Sequence, residues 1–139
     1  MKNNSRGFTL LELMVVVMVV AILASIAYPS YQRFIMQSRR SDALQGLLSA
    51  QLQQEQYRVR TGKYAGNGQG SLIGLTNTSY YNFSVVSAAG SGGVPTYTLT
   101  ATAVSSQLND TDCRTLSINN TDLKTSSSSS GTASTGCWN

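Results

Sequence analysis

The sequence predicts an α+β fold, in which one long N-terminal helix precedes a four-stranded antiparallel sheet. Two observations predict these elements. The first part of the chain has helical periodicity with few breaks, and the later part alternates apolar and polar residues with period two. Residues 63–79 between them are rich in glycine and small polar residues, which is typical of a surface loop. A chain of 139 residues is long enough for one small domain and a membrane helix.

The first half of the predicted helix is apolar from Phe8 to Tyr28, except for small hydroxyls and one carboxylate, Glu12. A membrane-spanning helix needs about 20 such residues, so residues 8–29 are predicted to cross a membrane. A carboxylate costs about 2.5–3.5 kcal/mol in the middle of such a helix and somewhat less near its end. We therefore expect a positive group from elsewhere to meet Glu12. Pro29 lacks an amide hydrogen and is predicted to kink or locally open the helix.

The second half of the helix is predicted to be amphipathic, to continue to about Thr61, and to begin a globular domain of residues 30–139. Apolar side chains recur there at three- and four-residue spacing, which predicts one buried face. These side chains are Tyr31, Phe34, Ile35, Leu44, Leu47, Leu48 and Leu52. Gly46 is expected to permit the close approach of a strand. Gly62 suits the C-cap of the helix.

Four strands are predicted within residues 80–125, each with one apolar face. Period-two alternation with one apolar face predicts an antiparallel meander that lies on the second half of the helix. The predicted strands are 81–85, 96–103, 115–119 and 123–125. The serine-rich segment 126–132 has low complexity and is expected to be a tethered, mobile excursion.

The composition argues against several classes of function. The chain has no histidine, which excludes histidine-based metal sites and histidine general bases. Only six residues are acidic and no nucleophile motif is present, so neither an enzyme nor a bound cofactor is expected. The formal net charge is +4, and +2 without Lys2 and Arg6. Such a charge suits weak contact with DNA or an anionic surface, but it is not typical of a dedicated nucleic-acid binder.

The residues before and within the apolar run form a specific motif. Lys2 and Arg6 precede Gly7-Phe8-Thr9-Leu10-Leu11-Glu12. This arrangement resembles the leader-cleavage signal of type IV pilins and pseudopilins. The resemblance implies that a membrane-embedded prepilin peptidase removes residues 1–7 by cleaving between Gly7 and Phe8, and that the new Phe8 amine is N-methylated. The alternative is an ordinary signal peptide cleaved after the apolar run, near Ala27. That alternative leaves the motif unexplained.

The same resemblance implies a role for Glu12 in setting the register between subunits. The α-amine created at Phe8 would be largely protonated near neutral pH, judged by its reference pKa. A neighbouring subunit could use this amine to neutralise Glu12. Because a buried charge without its partner is strongly destabilising, such a pair would select one axial register.

The two cysteines, Cys113 and Cys137, are an even pair in a chain that is expected to be exported, so they predict a disulfide. It would close a loop of about 25 residues and contribute about 3–4 kcal/mol in the chain-entropy model. Two free thiols or half a metal site are the alternatives. The position of the pair, in a C-terminal loop of residues 113–137, matches the cystine loop of type IV pilins.

Further motifs make the chain similar to minor pilins of the PilE type. They are Ala27-Tyr28-Pro29-Ser30-Tyr31-Gln32, Glu55-Gln56-Tyr57, Thr61-Gly62-Lys63-Tyr64, Tyr97-Thr98-Leu99-Thr100-Ala101 and Cys137-Trp138. One departure is Asp122, which stands where that subgroup commonly has glycine. Asp enters left-handed backbone conformations less freely than Gly, so the turn at this point is expected to differ.

The resemblance implies a minor subunit of a type IV pilus that helps initiate or support assembly, and so twitching, adhesion or DNA uptake. Its partners would be the main subunit and other minor pilins, contacted through the N-terminal helix, and the prepilin peptidase. It would lie in the inner membrane before assembly and in the extracellular pilus afterwards.

Two alternatives belong to the same superfamily. One is a competence pilin that acts as a DNA receptor, which needs clustered cations because phosphate contacts supply most of the affinity. Its candidate contacts are Arg58, Arg60, Lys63, Arg114 and Lys124, with Tyr57, Tyr64 and Trp138. The other is a type II secretion pseudopilin, against which the predicted disulfide loop and the Cys137-Trp138 ending argue.

Overall fold

The computed structural model describes residues 7–138, so most of the predicted leader, residues 1–6, and Asn139 lie outside the described residues. Helix α1 (Leu10–Thr61) is followed by four strands, which form one antiparallel sheet in the order β1-β2-β3-β4. The strands are β1 (Tyr81–Ala89), β2 (Pro95–Ala103), β3 (Thr115–Asn119) and β4 (Lys124–Ser127). The predicted α+β fold with a four-stranded meander is therefore confirmed. The chain divides into two compact units between Ile35 and Met36.

In the first unit α1 is an exposed apolar helix. Every side chain from Leu10 to Phe34 is exposed, and the helix is long and apolar enough to cross a membrane. Pro29 lies inside α1, which is one continuous helical element through this residue. The kink expected at Pro29 stays a prediction.

In the second unit α1 buries a narrow face, whose residues are spaced by three and four positions and include two alanines. The buried residues are Ala43, Leu47, Ala50 and Gln54. The predicted apolar face was therefore only partly right, because Leu48 is 42% exposed and Leu52 is 64% exposed. Small residues let the helix and sheet share one core, as the notional Cβ of Gly46 lies 3.5 Å from the Phe83 ring. Gly46 therefore lies beside β1, at a distance where a methyl group would also fit, and the close approach expected there stays a prediction.

The sheet contributes rows of apolar side chains to the same core. In the central row, β1 residue Val85 pairs with Leu99 of β2, which in turn pairs with Ile118 of β3. All three are buried. The next row pairs Ala101 with Leu116, and both are fully buried. The alternation read from the sequence therefore assigned the inward face of β2 and β3 correctly.

The loop after α1 is fixed by Gln54, whose side chain is fully buried. Its Nε2 donates to the carbonyl of Ala65 at 2.9 Å, and its Oε1 accepts from the amide of Ala65 at 2.9 Å. The side chain thus satisfies both backbone groups of one loop residue, which otherwise would be buried without partners. A short 3₁₀ segment, Gly70–Ile73, follows and buries Ile73.

The serine-rich segment is not the mobile excursion expected from its composition. Its first residues belong to β4, and a bridge joins Ser127 to Ala133. The Ser134 amide donates to the Ser126 carbonyl at 2.9 Å, and the Ser126 hydroxyl donates to the Ser134 carbonyl at 2.8 Å. Low complexity was misleading here because backbone pairing and side-chain hydroxyl bonds do not need apolar residues.

The turn between β3 and β4 does place Asp122 in the left-handed region, with φ at 60°. Asn119 holds the turn, since its Oδ1 accepts from the backbone amides of Thr121 and Leu123, each at 3.0 Å. Asp122 therefore occupies a conformation that favours glycine, and the neighbouring asparagine compensates with local hydrogen bonds.

Candidate functional site

The predicted cleavage site lies in non-helical chain immediately before α1. Gly7 is exposed, and among the described residues, its chain neighbour apart, no atom lies within 4 Å of the position that a Cβ on Gly7 would take. Thr9 caps the helix, because its Oγ1 accepts a hydrogen bond from the amide of Glu12 at 3.2 Å. The bond between Gly7 and Phe8 is therefore accessible within the described residues.

Glu12 lies in the first turn of α1 and is exposed. The positive end of the helix dipole favours a carboxylate at this position. No salt bridge of Glu12 occurs within residues 7–138. Its charge is thus available to a group from outside the chain, and the register role expected for it stays a prediction.

The cystine between Cys113 and Cys137 is present, with the two Cα atoms 5.7 Å apart. Both residues belong to the core, and Trp138 packs against it. The Trp138 Nε1 donates to the carbonyl of Thr125 at 2.9 Å, which covers the outer edge of β4. The predicted disulfide is confirmed, and the free-thiol and metal-site alternatives are excluded for this pair.

Three of the basic candidates for DNA contact, together with Tyr64, lie where α1 meets the start of β2. Arg58 Nη1 donates to the Tyr64 hydroxyl at 2.7 Å, and that hydroxyl donates to Glu55 Oε1 at 2.9 Å. The Tyr64 ring packs edge-on against Tyr97 of β2, with ring centroids 4.6 Å apart. Lys63 borders a groove of about 290 Å³ together with residues of the β1–β2 turn. Arg60 is exposed on the last turn of the helix.

Lys124 lies at the same end of the sheet, because it pairs with Ile118 near the end of β3. Its Nζ lies 5.8 Å from the centre of the Trp138 ring and 3.8 Å from Asp122 Oδ2. Arg114 lies at the opposite end, where its carbonyl accepts from the amide of Ala103 and its Nη2 donates to the Leu108 carbonyl at 2.7 Å. The structure therefore brings four of the five basic candidates to one end of the sheet, here called the basic end: Arg58, Arg60, Lys63 and Lys124.

Tyr64 and Tyr97 at the basic end are core residues and are not free platforms for bases, whereas Trp138 is only partly buried. Tyr64 is 7% exposed and Tyr97 is 2% exposed. Burial raises the pKa of Tyr97 to about 12, and the nearby Glu55 carboxylate contributes to this rise. Burial likewise raises the pKa of Tyr64, to which the hydrogen bond with Glu55 adds. Both phenols are thus neutral at physiological pH. Neither forms a negative phenolate that would offset the charge of the nearby lysines and arginines.

The sequence matches two family models over most of its length. Residues 29–117 match the model described as the type IV minor pilin ComP, a DNA uptake sequence receptor. Residues 2–28 match the prokaryotic N-terminal methylation motif. The chain belongs to the type IV pilin family. The methylation motif and the pilin domain thus lie in adjoining segments of this pilin. The motif around Gly7 and the later motifs predicted this family.

Individual pilins agree with this assignment. The fimbrial protein EcpC of Eikenella corrodens is 37% identical over 75% of this chain and 69% of that protein. The type IV major fimbrial protein FimA of Dichelobacter nodosus is 34% identical over 74% of this chain and 69% of that protein. A type IV pilin of Shewanella oneidensis has a similar structure, with a TM-score of 0.54 and 26% identity, covering 75% of this chain and 98% of that one.

Two structural features of the pilin domain could not be predicted from the sequence. One is the burial of Gln54, whose side chain pairs with the backbone of the loop after α1. The other is a polar cluster in which Arg40 pairs with Asp110, whose Oδ2 lies 3.2 Å from Arg40 Nε. An arginine within an amphipathic helix and an aspartate in a distant loop have nothing in their local pattern that links them. Only the fold brings them together.

Proposed function

We propose that this pilin is a minor structural subunit of a type IV pilus that helps initiate or support pilus assembly. The match of residues 29–117 to a minor-pilin model carries this proposal. The proposed role is structural and not enzymatic. Twitching, adhesion or DNA uptake would follow from the pilus that the subunit helps to build.

The first half of α1 supports the proposed route of assembly. An exposed apolar helix needs an apolar environment, which the inner membrane supplies before assembly and the helices of other pilins supply afterwards. In this proposal, prepilin peptidase removes residues 1–7 and the Phe8 amine is methylated. The amine of a neighbouring subunit then meets Glu12 as the helices pack.

Quantitative mass spectrometry of sheared pili tests the minor role. The expected result is that this chain is present, at far fewer copies than the main subunit. A ratio near one would contradict the minor role without contradicting membership of the family. Absence from pili, with the processed chain retained in the inner membrane, would contradict the structural role itself.

A second candidate function is DNA binding at the basic end, which rests on the clustering of Arg58, Arg60, Lys63 and Lys124. The matched family model is described as a DNA uptake sequence receptor, which supports the same function. Among residues 7–138 the two ion pairs are Arg40–Asp110 and Lys124–Asp122. Arg58, Arg60 and Lys63 are in neither ion pair; because Arg58 donates to the Tyr64 hydroxyl, Arg60 and Lys63 are the cations best placed to contact phosphate groups.

Salt-dependent binding of the detergent-solubilised chain to a labelled DNA duplex tests this second candidate. The double variant Arg60→Ala and Lys63→Ala should weaken binding. The slope of log affinity against log salt should also become shallower, by about one for each phosphate that the variant no longer neutralises. Arg114→Gln is the control at the opposite end of the sheet. It removes one charge where the double variant removes two, so the two are compared per charge removed. Equal weakening per charge would indicate a general effect of net charge and would contradict binding at the basic end.

A further inference from the structure

The two sulfur atoms of the cystine have different surroundings. Cys113 Sγ accepts a hydrogen bond from Arg40 Nη1 at 2.9 Å. Cys137 Sγ instead lies 3.5 Å from the hydroxyl oxygen of Ser134, 3.7 Å from the carbonyl oxygen of Asp112 and 3.9 Å from that of Thr135. One sulfur therefore faces a cation, whereas the other faces a neutral hydroxyl and the negative ends of two carbonyl dipoles.

The guanidinium that faces Cys113 also forms an ion pair with Asp110, which Gln107 in turn contacts. Arg40 Nε lies 3.2 Å from Asp110 Oδ2, and the two side chains are 17% and 8% exposed. Gln107 Nε2 donates to the same carboxylate oxygen and to the Met36 carbonyl, each at 3.1 Å. This polar cluster joins α1 to the loop before β3, so Arg40 stays beside Cys113 whenever the domain is folded.

The remaining charged groups near Cys113 are its neighbours in sequence. Asp112 is exposed. The guanidinium of Arg114 donates to the Leu108 carbonyl. Asp110 opposes the effect of Arg40 because it brings a negative charge to the same cluster. Arg40 is nevertheless the group in direct contact with the sulfur, and a charge in hydrogen-bond contact outweighs one that lies behind it.

This asymmetry matters for thiol–disulfide exchange. A thiolate attacks one sulfur of a disulfide and expels the other as a thiolate, and the better leaving group is the thiol of lower pKa. A neighbouring arginine stabilises a cysteine thiolate. We propose that Arg40 makes Cys113 the leaving sulfur of this disulfide and so directs an incoming thiol to Cys137.

The proposed step is balanced. A thiolate R–S⁻ attacks Cys137 Sγ, the bond between the two cysteine sulfurs breaks, and a new bond joins R–S to Cys137. The electron pair of the broken bond stays on Cys113 Sγ as a thiolate beside Arg40. In the reverse direction, the Cys113 thiolate attacks a mixed disulfide on Cys137, closes the cystine and expels R–S⁻. The partner is a thiol–disulfide oxidoreductase or glutathione.

The position of each cysteine in the fold agrees with this direction. Cys113 is 3% exposed and Cys137 is fully buried, so exchange requires a local opening. Cys113 immediately precedes Arg114, whose carbonyl is bonded to β2. Cys137 lies in the loop after β4, which is held largely by hydrogen bonds among small polar residues. Opening of that loop presents Cys137 while Cys113 stays beside Arg40. The inference is independent of the role in the pilus.

The test measures which cysteine carries the mixed disulfide. The full chain in non-ionic detergent is exposed to reduced glutathione, quenched with acid before the mixed disulfides re-equilibrate and alkylated, and glutathione on each cysteine is quantified by peptide mass spectrometry. In the wild type we expect glutathione on Cys137 to exceed that on Cys113 by about threefold or more. In Arg40→Gln the ratio should fall towards one. Arg114→Gln removes an equal charge without contacting the cystine and should keep the wild-type ratio.

A second variant guards against a simple loss of stability, because Arg40→Gln leaves the Asp110 carboxylate without its cation. Arg40→Gln with Asp110→Asn removes both charges, and the new amide oxygen can still accept from Gln107. It should also give a ratio near one. The partition between two sulfurs of one molecule reports on the leaving group, whereas stability changes the overall rate. A wild-type ratio near one, a preference for Cys113, or a wild-type ratio in both Arg40 variants would overturn the proposal.

Discussion

The two halves of α1 show that apolar composition and burial are different things. The first half has the most apolar stretch of the chain, yet its side chains from Leu10 to Phe34 are all exposed. The second half is more polar, yet it buries Ala43, Leu47, Ala50 and the amide of Gln54. The second half is stabilised by the sheet of its own chain. The first half depends on surroundings that the chain itself does not provide, which are the membrane and other pilins in the proposed function.

The largest effect is expected where the first half is prepared for assembly. Gly7→Val should block removal of the leader, because a branched side chain would obstruct the peptidase subsite that the family resemblance implies. Intact-mass measurement should show the wild type beginning at a methylated Phe8 and the variant retaining its leader. Gly7→Ala is the matched control, since its smaller side chain should permit more cleavage. A wild-type N-terminus beyond the apolar run would favour an ordinary signal peptide.

The next effect concerns the carboxylate of the first half. Glu12→Ala should leave membrane insertion and leader cleavage intact but strongly lower incorporation into pili, because the Phe8 amine of a neighbour would be buried without its partner. Immunoblots of sheared pili and of membranes measure the two pools. Incorporation at the wild-type level would show that Glu12 does not set the register.

For the second half, the prediction concerns stability. Leu47→Ala should lower the free energy of unfolding of the domain by about 2–5 kcal/mol, since it removes a fully buried side chain. Leu48→Ala is the matched control in the adjacent position, where the side chain is 42% exposed and the loss should be much smaller. Thermal unfolding of the detergent-solubilised chain, followed by near-ultraviolet circular dichroism, compares them. Equal losses would mean that the buried face is assigned incorrectly.

These two halves also differ in what their sequence could predict. The signal around Gly7 and Glu12 is read from local spacing, so the sequence was sufficient to recognise it. The strands were also predictable, because alternation records which face is buried. The buried face of α1 was harder: Leu48 and Leu52 fit a helical period as well as Leu47 does, and only the position of the sheet decides between them. Gln54 and the Arg40–Asp110 pair are satisfied by distant residues, which no local pattern encodes.

The cystine allows a prediction of similar type and of comparable size. Replacing both cysteines, Cys113→Ser with Cys137→Ser, should lower domain stability by about 3–4 kcal/mol in the chain-entropy model, with reduced pilus assembly and unchanged membrane insertion. The melting temperature should fall by about 4–8 °C for each kcal/mol lost. Because β4 and the residues after it are paired by hydrogen bonds, some order of this loop should survive. A double variant that melts like the wild type would contradict a stabilising role of the cystine.

The smallest effect on stability is expected at Leu52, which belongs to the second half of α1 but resembles the first half in its exposure. Its side chain is 64% exposed and borders a shallow groove with Tyr97 and Asn120. Leu52→Ser should therefore change the free energy of unfolding by no more than about 0.5 kcal/mol, as is usual for surface substitutions. If the exposed apolar surface of α1 continues to contact other pilins beyond the first unit, the same variant should still lower incorporation into pili. A drop in melting temperature comparable to that of Leu47→Ala would instead show that the domain itself requires Leu52. The face of α1 that the domain buries would then extend beyond Ala43, Leu47, Ala50 and Gln54.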